Sequence, residues 1–110
     1  MERFVKGEIV VFKFPFSDTL ESKKRPALVI ANTYNKNIIL CKITSKIKPD
    51  PDIVTINQSD FEEGSLNRVS FARLAELFNI HESKINYKVG KLKADKILEV
   101  QNRLCEIFKR

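Results

Sequence analysis

Residues 25–31 read RPALVIA, and residues 38–47 read IILCKITSKI. The first run is apolar on both faces after its charged start, which is typical of a buried central strand. The second run alternates with a period of two, so the two faces of a strand formed by it would differ. One face would carry Ile39, Cys41, Ile43 and Ile47, and the other Lys42, Thr44 and Lys46. The pattern predicts two strands separated by a tight turn at 35–37, with the hydroxyl of Thr44 between two ammonium groups.

The residues before this pair predict one more strand and a loop. Residues 7–14 are β-branched and aromatic, and Pro15 cannot continue them as a ladder strand. Residues 16–24 are mostly polar and predict a loop that leads into the buried strand. Arg25 is the last charge before six apolar residues, so packing can hold its guanidinium in place. A guanidinium fixed in this way is suited to binding a phosphate group.

The residues after the pair predict shorter elements. Residues 52–56 are rich in β-branched side chains and predict a strand. Residues 59–62 have the Ser-x-x-Glu spacing of a capping box, which predicts a single helical turn that Gly64 can end. Two further short strands are predicted at 67–74 and 77–80.

A change of period marks the last segment, residues 92–108. Its apolar positions recur at helical spacing and are Ile97, Val100, Leu104, Ile107 and Phe108. Asp95 stands in the first turn, where an anion suits the positive end of the helix dipole. Many short strands and one terminal helix predict a mainly β fold with α additions, a small barrel closed by a C-terminal amphipathic helix.

Length and charge narrow the class of protein. A chain of 110 residues is long enough for one ordinary core, so we expect one domain over residues 1–110. Lysine and arginine outnumber aspartate and glutamate by 20 to 14, which favours a polyanionic partner such as nucleic acid, although charge also serves plain solubility. No apolar run approaches the roughly 20 residues of a membrane helix, and the start lacks the apolar core of a secretory signal. We therefore expect a cytoplasmic protein without a membrane segment.

Cysteine and histidine usage limits the chemistry. Cys41 and Cys105 lie far apart without CxxC spacing, and we expect both to be reduced, buried thiols. His81 is the only histidine, so one chain cannot assemble a His/Cys zinc site or a pair of catalytic histidines. The sequence also contains no Gly-rich phosphate loop, Walker lysine, HExxH or GxSxG motif.

Arg25 and Thr44 each have an ordinary explanation beside the functional one. Arg25 can form an ion pair with Glu21 or Asp18, as surface arginines commonly do. Thr44 can be present only because threonine is a good strand former. Composition and spacing therefore lead to a basic, mostly β domain with candidate anion-binding residues, and they do not name a reaction.

Four segments resemble the MazF/PemK-like toxins in order and in spacing. They are residues 7–10 (GEIV), 14–18 (FPFSD), 24–30 (KRPALVI) and 42–45 (KITS). Residues 60–66 (DFEEGSL), 70–73 (SFAR) and 89–92 (VGKL) look like the rest of the pattern, so the resemblance spans nearly the whole chain. The Arg-Pro strand and the Ile-Thr strand make it specific, because they occur together.

This resemblance implies an SH3-like barrel with a C-terminal helix, a homodimer, and a sequence-selective endoribonuclease that needs no metal or other cofactor. It also implies single-stranded RNA as substrate and a cognate acidic antitoxin as inhibitor. The catalytic arginine of the family falls on Arg25 and its catalytic threonine on Thr44. The residues that would bind RNA are Lys23, Lys24, Lys42, Ser45, Lys46 and Arg73.

In the chemistry that this resemblance implies, the protein only has to orient the substrate and stabilise negative charge. The 2′-hydroxyl of the substrate is the nucleophile, and cleavage leaves a 2′,3′-cyclic phosphate and a 5′-hydroxyl. Arg25 would stabilise charge in the transition state, and Thr44 would hydrogen-bond the phosphate or the 2′-hydroxyl. A non-catalytic protein of the same fold remains an alternative, either a CcdB-like gyrase poison or an inactive homologue that only binds antitoxin.

Overall fold

The computed structural model describes residues 3–13, 23–47 and 49–110. Within these residues the chain forms a curled, antiparallel seven-stranded sheet followed by a C-terminal helix. The strands are β1 (Glu8–Lys13), β2 (Lys24–Asn32), β3 (Asn37–Thr44), β4 (Ile53–Ile56), β5 (Phe61–Gly64), β6 (Ser70–His81) and β7 (Ile85–Leu92), and the helix is α1 (Ala94–Phe108). Their order in the sheet is β4-β6-β3-β2-β1-β7-β5. The predicted mainly β fold with a closing amphipathic helix is confirmed.

The larger core lies between the sheet and α1, and we call it the helix-side core. It consists of Ile9, Leu28, Cys41, Ile43, Val54, Ile56, Phe61, Ala72, Leu74, Leu92, Val100 and Leu104. Ile97 and Ile107 pack against it, so most of the predicted stripe of α1 faces the sheet. Phe108 is an exception, because it is 67% exposed at the end of the helix.

A second core occupies the other face of the sheet. It consists of Phe4, Val10, Phe12, Ala27, Val29, Ile38, Leu40 and Ile85. Strand β2 contributes Leu28 to one core and Ala27 and Val29 to the other, which explains why its sequence is apolar on both faces. The prediction of a buried central strand is therefore confirmed.

The turn between β2 and β3 has the backbone that its sequence predicts. Asn35 has a φ of 66° and Lys36 a φ of 63°, so the chain reverses through the left-handed region that Asn tolerates. The end of β3 differs from the prediction. The strand stops at Thr44, so Ile47 does not share a strand face with Cys41 and Ile43 as predicted, and it is 80% exposed in the segment that follows.

The predicted helical turn at 59–62 is wrong in its position. A short 3-10 turn spans Gln58–Asp60, and its capping box joins Asn57 to Asp60. Phe61 instead begins β5, because its side chain is buried in the helix-side core. Gly64 ends β5 with a φ of 73°, and a Cβ there would collide with the backbone of β7.

The two short strands predicted at 67–74 and 77–80 are one continuous strand, β6. Lys42 of β3 pairs with Arg73, and the preceding residue Cys41 pairs with Leu77. The three residues between these partners form a bulge, so β6 changes register there instead of ending. The alternating pattern is interrupted at the bulge, and for this reason the sequence suggested two strands.

Strand β7 was not predicted, and the prediction had assigned Leu92, its last residue, to the helix. Helix α1 begins at Ala94, after Lys93 at the N-cap position, with Asp95 in its first turn as expected. Strand β1 ends at Lys13 in the described residues, and the predicted end of this strand and residues 16–22 of the predicted loop lie outside them. Lys24, which was predicted to end the loop, begins β2 instead. In the described part of the chain, no helix is long and apolar enough to cross a membrane.

The two cysteines are free thiols in different surroundings. Cys41 is fully buried in the helix-side core, and burial raises the pKa of its thiol to about 12. Cys105 is exposed, so the expectation of two buried thiols is wrong for this residue. The reason is its position on α1 next to Leu104, which turns it away from the sheet.

Candidate functional site

Strands β2 and β3 bring Arg25 and Thr44 together. Ala27 pairs with Lys42 in this antiparallel ladder, and the same register carried two residues further places Arg25 opposite Thr44. Residues that lie opposite each other on antiparallel strands point to the same face. That face is the one away from α1, because Ala27 belongs to the second core. The two residues that the sequence singled out separately therefore lie on the same face of neighbouring strands, each two residues beyond the last pair of this ladder.

The second core forms the floor beneath these residues. Phe12 pairs with Arg25 across β1 and β2, and its ring packs against Phe78 with the centroids 5.1 Å apart. Phe12 and Ala27 are buried, whereas Arg25 is exposed. Arg25 therefore extends from a buried part of the sheet to the surface, where an anion can reach its guanidinium.

Thr44 has an oriented hydroxyl group. Its Oγ1 accepts a hydrogen bond of 3.1 Å from the backbone N–H of Lys46, across the bend that follows β3. This contact occupies one lone pair of the oxygen and leaves the hydroxyl hydrogen able to point at a ligand. Thr44 can therefore donate a hydrogen bond to a phosphate oxygen. Ser45 and Lys46 are exposed in this bend, beside the end of β3.

Lys42 and Arg73 lie side by side on β3 and β6, on the same face as Thr44. Both are paired with carboxylates. Glu76 Oε1 lies 3.1 Å from Arg73 Nη1, and Glu76 Oε2 lies 3.7 Å from Lys42 Nζ. On its other side, Arg73 Nε lies 3.5 Å from Asp50 Oδ2. We call these four residues the ion-pair network.

Asp50 and Glu76 were missed by the sequence reasoning. Asp50 lies in the loop before β4, and Glu76 lies in the bulge of β6, so neither follows from strand periodicity. Only the basic members of the network stand in segments that resemble the toxin family. The structure thus adds two acidic groups to a surface that was predicted to be basic.

Lys23 and Lys24 lie at the start of β2, and both are exposed. Alternation along the strand turns Lys24 to the face opposite Arg25. There its ammonium lies 5.5 Å from the centre of the Tyr87 ring, within the range of a cation–π contact. The structure therefore groups Arg25, Thr44, Lys42 and Arg73, and it places Lys24 at the margin.

The alternative ion pairs of Arg25 would involve Glu21 or Asp18, which lie outside the described residues. Cys41 is buried on the far side of β3 with a raised pKa, so it is no nucleophile for this site. In residues 3–13, 23–47 and 49–110, no group of three or more His, Cys, Asp or Glu side chains is placed to hold a metal ion.

The sequence matches one protein-family model over residues 5–108. The model describes the PemK-like, MazF-like toxin of type II toxin-antitoxin systems. A search of curated proteins found no match.

Solved structures with the same fold cover nearly the whole chain. An endoribonuclease in complex with its cognate antitoxin, from a mycobacterial species, has a TM-score of 0.74 at 10% identity, covering 96% of this chain and 94% of that one. The toxin MazF-mt6 of Mycobacterium tuberculosis has a TM-score of 0.72 at 16% identity, and the match covers 93% of this chain and 96% of that toxin. A chain of a MazE-MazF complex from Deinococcus radiodurans has a TM-score of 0.74 at 21% identity, and the match covers 96% of this chain and 95% of that one. At these identities the likeness concerns the fold.

Proposed function

The chain belongs to the PemK-like, MazF-like toxins of type II toxin-antitoxin systems, and on this premise we propose that it is an endoribonuclease that cleaves single-stranded RNA at selected sequences. The reaction needs no metal and leaves a 2′,3′-cyclic phosphate and a 5′-hydroxyl. The observation that carries the proposal is that Arg25 and Thr44 lie on the face of the second core, on neighbouring strands and just beyond the pair formed by Ala27 and Lys42.

Arg25 acts on the charge that develops during cleavage. The substrate's 2′-oxygen forms a bond to phosphorus while the bond from phosphorus to the 5′-oxygen breaks. The 2′-hydroxyl loses its proton to solvent, and the 5′-oxygen gains one. Negative charge accumulates on the phosphate oxygens in the transition state, where a fixed guanidinium is most effective. Because an arginine side chain keeps its proton at neutral pH, this role is electrostatic.

Thr44 orients the reacting phosphate. A threonine hydroxyl is a poor base, and the oxygen of Thr44 already accepts a hydrogen bond from the backbone of Lys46. Its hydroxyl hydrogen is donated to a phosphate oxygen and fixes the line of attack by the 2′-hydroxyl. Arg25 and Thr44 thus grip the same phosphate from adjacent strands.

The RNA strand binds along the basic residues around this pair. Lys42, Arg73 and Lys46 lie on or next to the two strands that meet at Thr44. Lys23 and Lys24 add positive charge at the start of β2, with Lys24 at the margin of this surface. Contacts of this kind neutralise phosphates and release counterions, so RNA binding weakens as salt is added.

A cognate antitoxin inhibits the protein by occupying the same surface. The mycobacterial neighbour is an endoribonuclease in complex with its cognate antitoxin. For this chain, we infer an acidic antitoxin segment that folds on binding and competes with RNA for the same cations. Its binding weakens with salt, and a complex that holds antitoxin and RNA together would argue against this competition.

Two further parts of the proposal concern assembly. Residues 1–110 act as one domain, and two copies form a homodimer whose RNA groove draws basic residues from both subunits. A 110-residue chain has only a modest core, for which a second copy provides additional burial.

The test is product analysis. Purified protein is incubated with single-stranded RNA in EDTA. The products are then treated with a phosphatase, either directly or after acid has opened any cyclic phosphate. A phosphate that is removed only after acid treatment was a cyclic one, and a phosphate that is removed directly was a monoester. We expect discrete fragments with 2′,3′-cyclic phosphate and 5′-hydroxyl ends. Intact RNA that is still bound by the protein would favour a binding protein of the same fold. Fragments with 5′-phosphate ends would contradict the proposed chemistry.

A further inference from the structure

The bulge of β6 places one acidic side chain among the basic residues of the site. We propose that Glu76 is a positioning residue for RNA cleavage, which holds the Lys42 ammonium and the Arg73 guanidinium in a fixed arrangement beside Thr44. This inference rests on the proposed function and deepens it. It assigns a role to a residue that does not itself touch the reacting atoms.

The contacts of Glu76 are divided between two cations. One carboxylate oxygen lies 3.1 Å from Arg73 Nη1, and the other lies 3.7 Å from Lys42 Nζ. Asp50 holds Arg73 from the opposite side at 3.5 Å. A lysine or arginine side chain alone has many rotamers, and ordering it costs conformational entropy. Because the carboxylates already order these two side chains in the free protein, less conformational entropy is lost when RNA binds.

The backbone supports the same role independently. Residues 74–76 are inserted in β6 between the partners of Lys42 and Cys41. A regular strand would continue the ladder here, with its side chains alternating between the two faces. Bulges interrupt such ladders next to functional sites, where they redirect a side chain. In β6 the redirected side chain is Glu76, which reaches back over Arg73 to Lys42.

The network is poorly suited to a purely stabilising role. Arg73 Nε and Glu76 Oε2 are buried atoms that have no hydrogen-bond partner among the described residues. Partly buried ion pairs with incomplete hydrogen bonding contribute little stability, because desolvation offsets the attraction. The gain from this arrangement is therefore geometric.

The charges of the network also cancel. Lys42 and Arg73 contribute two positive charges, while Asp50 and Glu76 contribute two negative ones. The four side chains together therefore have no net charge, so Lys42 and Arg73 contribute less to the attraction of RNA than two unpaired cations would. Removing the charge of Glu76 should strengthen RNA binding while it loosens the two cations, so binding and turnover should change in opposite directions.

The experiment measures both quantities for Glu76→Gln. We expect single-turnover cleavage at saturating RNA to fall roughly 10- to 100-fold, the scale for misplacement of groups around a reacting centre. We expect RNA affinity at low salt to rise, and the slope of log affinity against log salt to steepen by about 0.7 for each cation released. Affinity is measured at pH 7 with an RNA whose 2′-hydroxyl is methylated at the cleavage site, so that it cannot be cut.

Glu106→Gln is the matched control. It makes the same change in net charge on an exposed residue of α1, on the other side of the sheet from Lys42. We expect wild-type turnover and a wild-type salt slope. A purely structural role for Glu76 would lower the melting temperature and weaken binding and turnover together, which would overturn the inference. Unchanged turnover of folded Glu76→Gln would also overturn it.

Glu76→Asp covers the case in which Glu76→Gln does not fold. It keeps the charge but is one methylene shorter, so it cannot span both cations. We expect reduced turnover with an unchanged salt slope, and wild-type turnover would overturn the inference. If the wild-type protein itself leaves RNA uncut, the proposed function fails, whereas the salt slopes of the variants still show whether Glu76 restrains the two cations.

Discussion

Arg25 owes its position to the residues that follow it. Ala27, Leu28 and Val29 are buried in the two cores and fix β2, so the charged residue at its start is held at the rim of the second core. Thr44 is held in the corresponding place at the end of β3, with its hydroxyl oriented by the backbone of Lys46. Packing at neighbouring residues thus fixes the backbone from which both polar side chains extend, and both remain accessible.

A variant of Lys24 tests how much an exposed cation contributes to RNA binding through its charge alone. Its ammonium is exposed and lies over the Tyr87 ring, on the face opposite Arg25. We expect Lys24→Ala to weaken RNA binding and to reduce the salt slope by about 0.7, the value for the loss of one phosphate contact in a single strand. Titrations of RNA at several salt concentrations check this. A wild-type slope would remove Lys24 from the RNA-binding surface.

The two cysteines differ in their reactivity. Because burial raises the pKa of Cys41 to about 12 and Cys105 is exposed, we expect one thiol per native chain to react with iodoacetamide at pH 8. Mass spectrometry of digested protein locates the label, which we expect on Cys105. In denaturant, both thiols should react. Rapid labelling of Cys41 in the native protein would contradict the buried position of this residue.

At the scale of the elements, hydrophobic periodicity was sufficient for those that bury a regular face. It predicted β2, β3 and α1, because each has one or two continuous apolar faces in the cores. It did not predict β7, in which residues 86–88 are polar and exposed. It divided β6, because the bulge shifts the register within the strand. Such features depend on partners that are distant in sequence.

The C-terminal end of α1 is tied to the start of β4. Arg110 Nη1 and Nη2 donate to the two carboxylate oxygens of Asp52 at 3.0 and 2.8 Å. Arg103 Nη2 donates to the Pro51 carbonyl at 2.9 Å. These contacts position the helix end beside the loop that carries Asp50. The hydrogen bond from Arg110 also lowers the pKa of the Asp52 carboxyl below its usual value.

We therefore expect Arg110→Ala to raise the pKa of Asp52 towards its usual value. Because the folded-state pKa is lowered, this pair contributes stability above the unfolded pKa of about 3.9, and the contribution is lost as pH falls through the folded value. An NMR titration of the side-chain carboxyls gives both values. Glu63 is the internal control, since its pKa is lowered by Lys88 and should not change. An unchanged Asp52 pKa would show that Arg110 does not form this contact.

At the scale of the whole molecule, the sequence revealed more of the candidate site than of its surroundings. Arg25 and Thr44 were assigned through their resemblance to the family motifs, and the pairing of β2 with β3 puts both on one face, next to the end of the ladder. Asp50 and Glu76 could not be assigned, because a loop and a bulge bring them to Arg73. A net charge of +6 predicts a basic surface, but the total says nothing about which cations are already paired.

The proposed assembly gives a prediction about mass. We expect light scattering at micromolar concentration to give about twice the 12.7 kDa of one chain. The measurement should be repeated at high salt, because an association between charged surfaces weakens there. A stable species with the mass of one chain under both conditions would contradict the homodimer.

The central claim is that Arg25 stabilises the transition state of RNA cleavage, and the single-turnover rate of Arg25→Ala in EDTA tests it most directly. Removal of one preorganised donor corresponds to about 2.7 to 4 kcal/mol, so we expect a rate roughly 100- to 1,000-fold below wild type. Thermal melting close to wild type must first show that the variant is folded, as expected for an exposed residue. A folded Arg25→Ala protein that cleaves RNA at a rate near wild type would contradict the account.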